Sequence, residues 1–409
     1  MKSTSPEADP ACTDENVHRR ARIALAAVCE PGEAGLADVI DSDGPTATVA
    51  ALLDADRQRP KMPRADALRR RLEELDLDAL IDRGRDIGAR VVVPGDGQWP
   101  GRMNELRAHR PLALWCWGEA DPRLMALRSV AIVGARACTR YGEWVAREWS
   151  AELAQDDVTV ISGGAYGIDS AAHRGALAVD GVTICVLAGG VDTPYPRGNE
   201  GLFAEIVDRG LLVSEAPPGE TVRRRRFLTR NRLIAALASA TCVVEAAHRS
   251  GSVTTASNAA ELNRPVLAVP GSVTSEKSRG THRLVHEGVA MLAADVSDVR
   301  AVLPDFERAH GASPHDSRSR SRRHATHDEA AVHSDERPIS RVLQEVLDAV
   351  PTPRWSTEGM SLDDIAVRSG VSGSQARTCL AQAEEMGLVQ QRGQDRWVYA
   401  PSDGAHGRA

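Results

Sequence analysis

The stretch Ser162–Ala176, SGGAYGIDSAAHRGA, directly follows the short apolar run VTVI at residues 158–161. β-Branched residues favour a strand, glycines permit a tight turn, and the alanine-rich end favours a helix. Such a strand–turn–helix unit is the building block of a parallel sheet, and its turn is a typical binding place for phosphate. The question is whether a phosphate bound at this turn belongs to a single nucleotide or to a polymer.

Short apolar runs and helical stretches alternate throughout residues 128–300. Besides VTVIS, the candidate strands are SVAIVG, VTICVLAG, LLVSE, TCVVEA and PVLAVPG. Candidate helices begin near Tyr141, Ile168, Asn199, Arg230, Val253 and Gly280. Apolar strands separated by helices indicate a parallel sheet covered on both faces. The predicted fold class is therefore α/β, an extended Rossmann-like, doubly wound parallel sheet.

The 409 residues suggest more than one domain. Apolar spacing near 3.6 residues predicts helices before residue 90, and a polar Ser-, His- and Arg-rich stretch predicts a linker after residue 303. Helix, turn, helix and hairpin in order predict a winged-helix domain after it. The predicted segments are a disordered tail (1–14), a small helical domain of SAM or helix-hairpin-helix type (15–90), the extended Rossmann-like domain (91–303), a disordered linker (304–337), the winged-helix domain (338–400) and a second tail (401–409).

Composition sets the broad class. The net charge of −7 argues against a nucleic-acid binder only if charge is evenly spread. The seven cysteines form no CxxC pair, which favours reduced thiols. No apolar run reaches about 18 residues, and the first residues have no apolar core. We therefore expect a cytoplasmic protein without a membrane span or signal peptide.

Four candidate strands end in glycine-containing loops, at residues 133–142, 162–169, 187–199 and 269–280. Because the carboxyl ends of parallel strands share one edge, these loops predict an extended anion-binding rim. The Walker pattern is absent, and SGGAYG does not match G-x-G-x-x-G. A dinucleotide or other cofactor is therefore not expected.

Catalytic patterns are sparse. Asp169 and His173 lie one helical turn apart and could transfer a proton, but the favoured interpretation is that Asp169 pins its own loop and His173 packs on the helix. His248, His282 and His286 have no metal-ligand spacing. We expect no metal site and no enzymatic activity.

The segment 222–232, VRRRRFLTRNR, holds six arginines and no acid. We expect a charged loop that becomes a helix near Arg230 and directs its guanidiniums at the rim. This density suits a polymer with one charge per nucleotide, and Phe227 offers a ring on which a base can stack. The alternative is a solvated loop that forms ion pairs. Replacing Arg230 and Arg232 by Glu is expected to abolish binding and leave the fold intact.

The phrases AIVGAR, SGGAYGIDSAAHRGAL, YPRGN, SEAPPG, RFLTRNRLIAALA, VVEAAHRSGSVTTA, NRPVLAVPG and SRGTHRLVHEGV resemble, in order, the DNA-processing protein A (DprA/Smf) family. The resemblance implies single-stranded DNA binding, protection of DNA strands, and loading of the RecA recombinase during homologous recombination in natural transformation. It also implies a homodimer, for which 281–292 is the candidate interface, and makes a single-strand-binding protein a further candidate partner.

By matched motif, the resemblance implies DNA contacts by Arg136, Gly163, Gly164, Gly167, Arg197, Arg226, Phe227, Arg230, Arg232, Ser250 and Gly251. Neighbouring candidates on the same loops are Ser162, Tyr166, Arg224, Asn231, Ser252 and Arg279. The sequence departs from the family at Tyr166, Leu228, Thr281 and His282, where Arg, Pro, Cys and Asn are usual.

Two other functions compete with this interpretation. A nucleoside-monophosphate phosphoribohydrolase also uses strand-end glycine loops, but its P-G-G-x-G-T-x-x-E pattern is replaced here by EAAHRSGSVTTASNAAE. A transcription regulator would read DNA through the winged-helix domain. Residues 338–400 contain more acidic than basic residues, which favours an ancillary role for that domain.

Overall fold

A computed structural model describes residues 14–54, 64–304, 341–350, 359–369, 371–385, 387–393 and 395–400. The chain divides into two compact units, one ending at Leu303 and one beginning at Pro304. The predicted tails and the predicted linker lie outside the described residues, except for Asp14 and Pro304.

The first unit is built on a nine-stranded sheet of order β1-β2-β6-β5-β4-β3-β7-β8-β9. The strands are β1 Ala89–Val92, β2 Leu114–Trp117, β3 Ser129–Val133, β4 Thr159–Ser162, β5 Thr183–Leu187, β6 Leu211–Ser214, β7 Ala240–Val243, β8 Val266–Ala268 and β9 Met291–Leu292. The pairs from β6 through β3 to β9 are parallel, whereas β1–β2 and β2–β6 are antiparallel. The strand order reverses between β3 and β7, which is where an open α/β sheet binds its ligand.

Helices cover both faces of the sheet. The helices of this unit are α1 Asp14–Val28, α2 Leu36–Asp43, α3 Pro45–Leu53, α4 Ala65–Glu74, α5 Leu77–Asp86, α6 Pro122–Leu127, α7 Arg140–Gln155, α8 Ile168–Leu177, α9 Glu200–Arg209, α10 Arg224–Leu237, α11 Gly251–Glu261, α12 Arg279–His286 and α13 Val296–Val302. Val130 and Ile132 of β3 pack with α7, α8 and α13, and Ala131 and Val133 pack with α10, α11 and α12. Because alternate residues of β3 are buried on opposite faces, the strand is apolar throughout, as the sequence indicates. None of these described helices is both long and apolar enough to span a bilayer.

The arginine segment differs from its prediction. Helix α10 begins at Arg224, with Arg223 as its N-cap, rather than near Arg230. Arginine is a good helix former. Carboxylates from other parts of the fold pair with some of these arginines and offset the repulsion between adjacent guanidiniums. The segment is therefore a helix almost from its start, and its side chains point in different directions around the axis.

The N-terminal helices share a hydrophobic core with the sheet. Leu25, Ile40 and Leu68 belong to one buried cluster with Trp115 of β2 and Phe203 of α9. No break in the core coincides with the boundary predicted at residue 90, and β1 and β2 extend the sheet from that side. The loop after α1 is thereby brought close to the carboxyl edge of the sheet.

The second unit contains α14 Arg341–Ala349, α15 Leu362–Ser369 and α16 Gly373–Glu385. Strands β10 Met360–Ser361, β11 Val389–Gln391 and β12 Arg396–Tyr399 form an antiparallel sheet of order β10-β12-β11. Leu343, Ile365 and Leu380 anchor a separate buried core. The element order is compatible with the predicted winged-helix domain.

Candidate nucleic-acid interface

The glycines of the SGGAYG turn allow two loops of the rim to pack closely. Gly167 has a φ of 76°, and a Cβ there would lie 2.3–2.4 Å from the carbonyl oxygens of Ala135 and Arg136. A side chain at this position would clash with backbone as well as strain the turn. The tight contact holds the loop after β4 against the loop that carries Arg136.

The amides of the turn are used inside the protein. Asp169 Oδ2 accepts hydrogen bonds from the N–H groups of Gly163 (3.2 Å) and Ala165 (3.4 Å). Burial raises the pKa of Asp169, and the nearby guanidinium of Arg230 opposes that rise. The Gly163 amide is thus occupied by an internal carboxylate, which corrects the expectation that it cradles a phosphate.

The favoured interpretation of Asp169 and His173 is confirmed. Asp169 pins its own loop, and His173 is buried with Nδ1 2.7 Å from Thr183 Oγ1. The Thr183 hydroxyl donates to the Val160 carbonyl, so Nδ1 carries the proton and donates to Thr183. Desolvation and the Arg230 charge lower the pKa of His173 to about 3. A neutral imidazole at this site is a structural group rather than a proton carrier at neutral pH.

Three arginines of segment 222–232 point inward. Arg226, Arg230 and Arg232 are each less than 9% exposed. Arg226 contacts Glu30 at 3.2 Å and Glu220 at 2.8 Å, and Arg232 contacts Glu215 at 2.7 Å. Contrary to prediction, these three guanidiniums do not lie free on the rim.

Arg230 lies between the ends of β4 and β5. Its Nη1 donates to the carbonyl oxygen of Gly163 at 2.8 Å and to that of Val186. Desolvation lowers the pKa of Arg230, while Asp169 raises it. A buried guanidinium that bonds carbonyl oxygens at the ends of two neighbouring strands holds those ends together from inside the protein.

The remaining arginines of the segment face solvent. Arg223, Arg224 and Arg225 are exposed at the start of α10. Arg223 is 3.1 Å from Glu30, but its side chain keeps 57% of its exposure. These residues, rather than the inward set, can meet a polyanion.

Arg136 and Phe227 form the central contact of the rim. The Arg136 guanidinium carbon lies 4.9 Å from the centroid of the Phe227 ring, in a cation–π arrangement. Tyr195 packs against the same ring, with centroids 5.7 Å apart and a tilt of 59°. Arg136 is exposed and Phe227 is half-buried, so a cation and an aromatic ring are presented together.

The other predicted residues are distributed as follows. Ser162 is buried and donates to the Ile132 carbonyl at 2.6 Å, which corrects its assignment as a DNA contact. Ser250 caps α11 through the Ser252 N–H, and Asn231 donates to the Gly251 carbonyl at 3.0 Å. The second bond joins the middle of α10 to the start of α11, where Gly251 is exposed.

The loop after β5 lies beside the SGGAYG turn. Tyr166 and Arg197 are half-buried, and a Cβ at Gly198 would lie 2.3 Å from the Tyr166 hydroxyl. Gly164 has a φ of 69°, and its carbonyl oxygen accepts from Asn199 at 3.0 Å. At the far end of the rim, Arg279 is exposed and pairs with Glu276 at 3.0 Å.

Sequence reasoning missed two partners of the site. Tyr195 stands within the YPRGN motif but gave no local sign that it would contact Phe227. Glu30 lies 196 positions from Arg226, and no sequence pattern links them. Segment 222–232 has six arginines and no acid, which indicates that any counterions come from other segments. The sequence does not indicate which acids these are.

The carboxylates near the rim are engaged in structural bonds. Glu245 is 3% exposed and accepts from the N–H and hydroxyl of Thr139, which caps α7. The cavity lined by Pro31, Glu215 and Arg226 measures about 10 Å³, room for one water molecule rather than a nucleotide. Within the described part of the chain, no group of three or more His, Cys, Asp or Glu side chains is placed to hold a metal ion.

The family model and the sequence relatives point to one family. The sequence model of DNA recombination-mediator protein A matches residues 90–304. A DprA of Mycobacterium tuberculosis is 39% identical over 395 residues, covering 92% of this chain and 93% of that protein. The Smf protein of Escherichia coli is 40% identical over 204 residues, covering 49% of this chain and 54% of that protein. The X-ray structure of DprA from Streptococcus pneumoniae superimposes with a TM-score of 0.56 and 29% identity, covering 71% of this chain and 98% of that one. The chain therefore belongs to the DprA/Smf family of DNA-processing proteins.

Proposed function

We propose that this protein binds single-stranded DNA along the carboxyl edge of its nine-stranded sheet. The observation that carries the proposal is the exposed Arg136 stacked on Phe227. A single strand offers both a phosphate for the cation and an open base face for the ring, whereas the faces of duplex bases are covered by their neighbours. Membership of a DNA-processing family supports a nucleic acid as the ligand.

We propose that the exposed members of the predicted set touch DNA and that the buried arginines act as support. Arg136, Arg224 and Arg225 supply exposed charge, and Phe227 supplies the stacking ring. Tyr166, Arg197, Gly251 and Arg279 lie on neighbouring loops and remain proposed contacts. Arg226, Arg230 and Arg232 support the rim through internal ion pairs and hydrogen bonds.

We place this binding in homologous recombination. The protein would protect exposed or incoming strands and help to load RecA, with a single-strand-binding protein as a further partner, in the cytoplasm and without a cofactor or catalytic step. A homodimer through 281–292 is part of this proposal. Met291 and Leu292 form β9 at the edge of the sheet and are 50% and 51% exposed. Large apolar side chains this exposed are unusual on an edge strand unless a second chain covers them.

A salt titration tests the binding proposal. Replacing Arg136 by Ala should weaken oligothymidylate binding and lower the dependence of log affinity on log salt by about 0.7, the contribution of one single-strand phosphate contact. Arg85→Ala is the matched control, because Arg85 is exposed on α5 and pairs with Asp82 on the same helix. Duplex DNA of equal length should bind more weakly. Equal salt slopes for parent and Arg136→Ala, or a preference for duplex, would refute the proposed interface.

A further inference from the structure

A second aromatic surface lies beside the rim. Tyr141 and Trp144 are 47% and 58% exposed, and Val273 is 83% exposed. We call these three residues the aromatic patch. Tyr141 and Trp144 are three positions apart on α7 and therefore share one face of the helix. The Tyr141 hydroxyl donates to the Pro270 carbonyl at 3.1 Å, which places that face next to the loop carrying Val273.

The distribution of aromatic residues sets this patch apart. The chain contains only seven Trp, four Tyr and three Phe residues. In the described first unit, the core takes Trp99, Trp115, Trp149 and Phe203, all less than 9% exposed. Single exposed apolar residues are common, but an exposed Trp beside an exposed Tyr on one helical face is a sizeable apolar surface.

The patch is continuous with the proposed DNA path. Helix α7 begins at Arg140, four positions after Arg136, and Thr139 caps it. Glu245 holds that cap from the end of β7, so the segment between Arg136 and Tyr141 is fixed to the sheet. A strand that leaves the Arg136–Phe227 contact toward β8 would meet the aromatic patch next.

The charges around the patch favour a nucleic acid over a protein. Arg136 and Arg140 are exposed at its near end, and Arg147 is exposed further along α7. Glu143 and Glu148 are the exposed acids of this part of α7, so residues 136–148 contain three exposed arginines and two exposed acids. Cations that outnumber acids beside exposed rings form the usual combination for sequence-independent binding of single strands.

We propose that Tyr141 and Trp144 stack bases of a longer single strand and so form a second base-binding subsite, an inference that rests on the proposed function. Tyr141 is held by its bond to Pro270 and provides a fixed ring. Trp144 provides the larger surface. Short oligonucleotides would engage the Arg136–Phe227 contact alone, and longer ones would gain affinity from the aromatic patch.

The test measures the affinity of the full chain for oligothymidylates of rising length. Trp144→Ala should not change the affinity for the shortest oligonucleotide that binds. It should reduce the affinity for long oligonucleotides about fivefold or more, the usual loss for one stacked base. Tyr141→Ala should act on the same lengths, whereas Tyr141→Phe keeps the ring and most of the affinity. Leu124→Ala, at a 54% exposed apolar residue of α6, is the control and should bind all lengths like the parent.

Fluorescence gives an independent measurement. Long oligonucleotides should quench part of the tryptophan emission of the parent, and Trp144→Phe should bind with similar affinity but lose that part of the quenching. If Trp144→Ala binds every length like the parent while Phe227→Ala is weakened, the subsite is refuted and the proposed function stands. If Trp144→Ala instead changes the sedimentation mass and not DNA affinity, the patch joins two copies of the chain and the inference is overturned. If the unmodified protein does not bind single-stranded DNA, both proposals are refuted.

Discussion

Replacing Arg232 by alanine should destabilise the protein rather than remove a DNA contact. The Arg232 and Glu215 side chains are only 10% and 12% exposed, and their charged atoms are 2.7 Å apart. Arg232 Nε also donates to the His109 carbonyl at 2.9 Å. The substitution would leave a buried carboxylate without its cation.

The expected magnitude follows from that geometry. Breaking a buried ion pair by removing one partner costs about 3–5 kcal/mol. Glu215 keeps one donor, the Gly32 N–H at 3.2 Å, so we expect the lower end of this range, about 3 kcal/mol. Because folded proteins have about 5–15 kcal/mol of net stability, this loss is a large share of the total.

Urea unfolding followed by tryptophan fluorescence measures the change. Arg224→Ala is the matched control from the same helix, because Arg224 is exposed. Its free energy of unfolding should stay within about 0.5 kcal/mol of the parent value, while its affinity for single-stranded DNA falls. Replacing both partners, Arg232→Met with Glu215→Leu, should recover most of the stability, because no unpaired charge is then buried.

The opposite result would refute this assignment. If Arg232→Ala unfolds like the parent but loses DNA affinity as strongly as Arg224→Ala, Arg232 is available to phosphate and its pair with Glu215 is not the dominant contact. The burial of Arg230 and Arg232 also changes what is expected when both are replaced. Exchanging both for Glu would bury new negative charges beside Glu215 and the strand-end carbonyls, so the double variant should fail to fold.

Two further predictions concern a counterion and a buried histidine. Glu30→Gln should raise single-strand affinity by up to about fivefold at low salt and lose the gain at high salt, because it frees the exposed Arg223 from an ion pair while the buried Arg226 keeps Glu220 at 2.8 Å. Unchanged affinity across the titration would contradict this role for Glu30. Burial lowers the pKa of His173 to about 3, from about 6.5 in the unfolded chain. Between these two pH values only the unfolded chain binds the proton, so the free energy of unfolding falls as the pH falls. The parent should lose about 2 kcal/mol of unfolding free energy from this group between pH 7 and pH 5, and His173→Gln, compared with the parent by urea unfolding at both pH values, should lack that loss. Parallel pH profiles for the two proteins would show that His173 titrates normally.

The amino-acid sequence by itself determined the order of the central elements. Each of the six candidate strands between residues 128 and 271 is a strand in the structure, with ends that differ by a few residues. Local chemistry is sufficient there, because apolar β-branched runs, glycine turns and helical spacing are all read from neighbouring residues. The ordered motifs also identified the family.

Only the tertiary structure decided which arginines are available to a ligand. By sequence alone, the six arginines of 222–232 are equivalent. The fold brings Glu30 to Arg226 across 196 positions of sequence and Glu215 to Arg232 across 17 positions. It likewise joins Tyr195 to Phe227 and Tyr141 to Pro270. Charge in a protein is neutralised by what is near in space, and the sequence records only what is near along the chain.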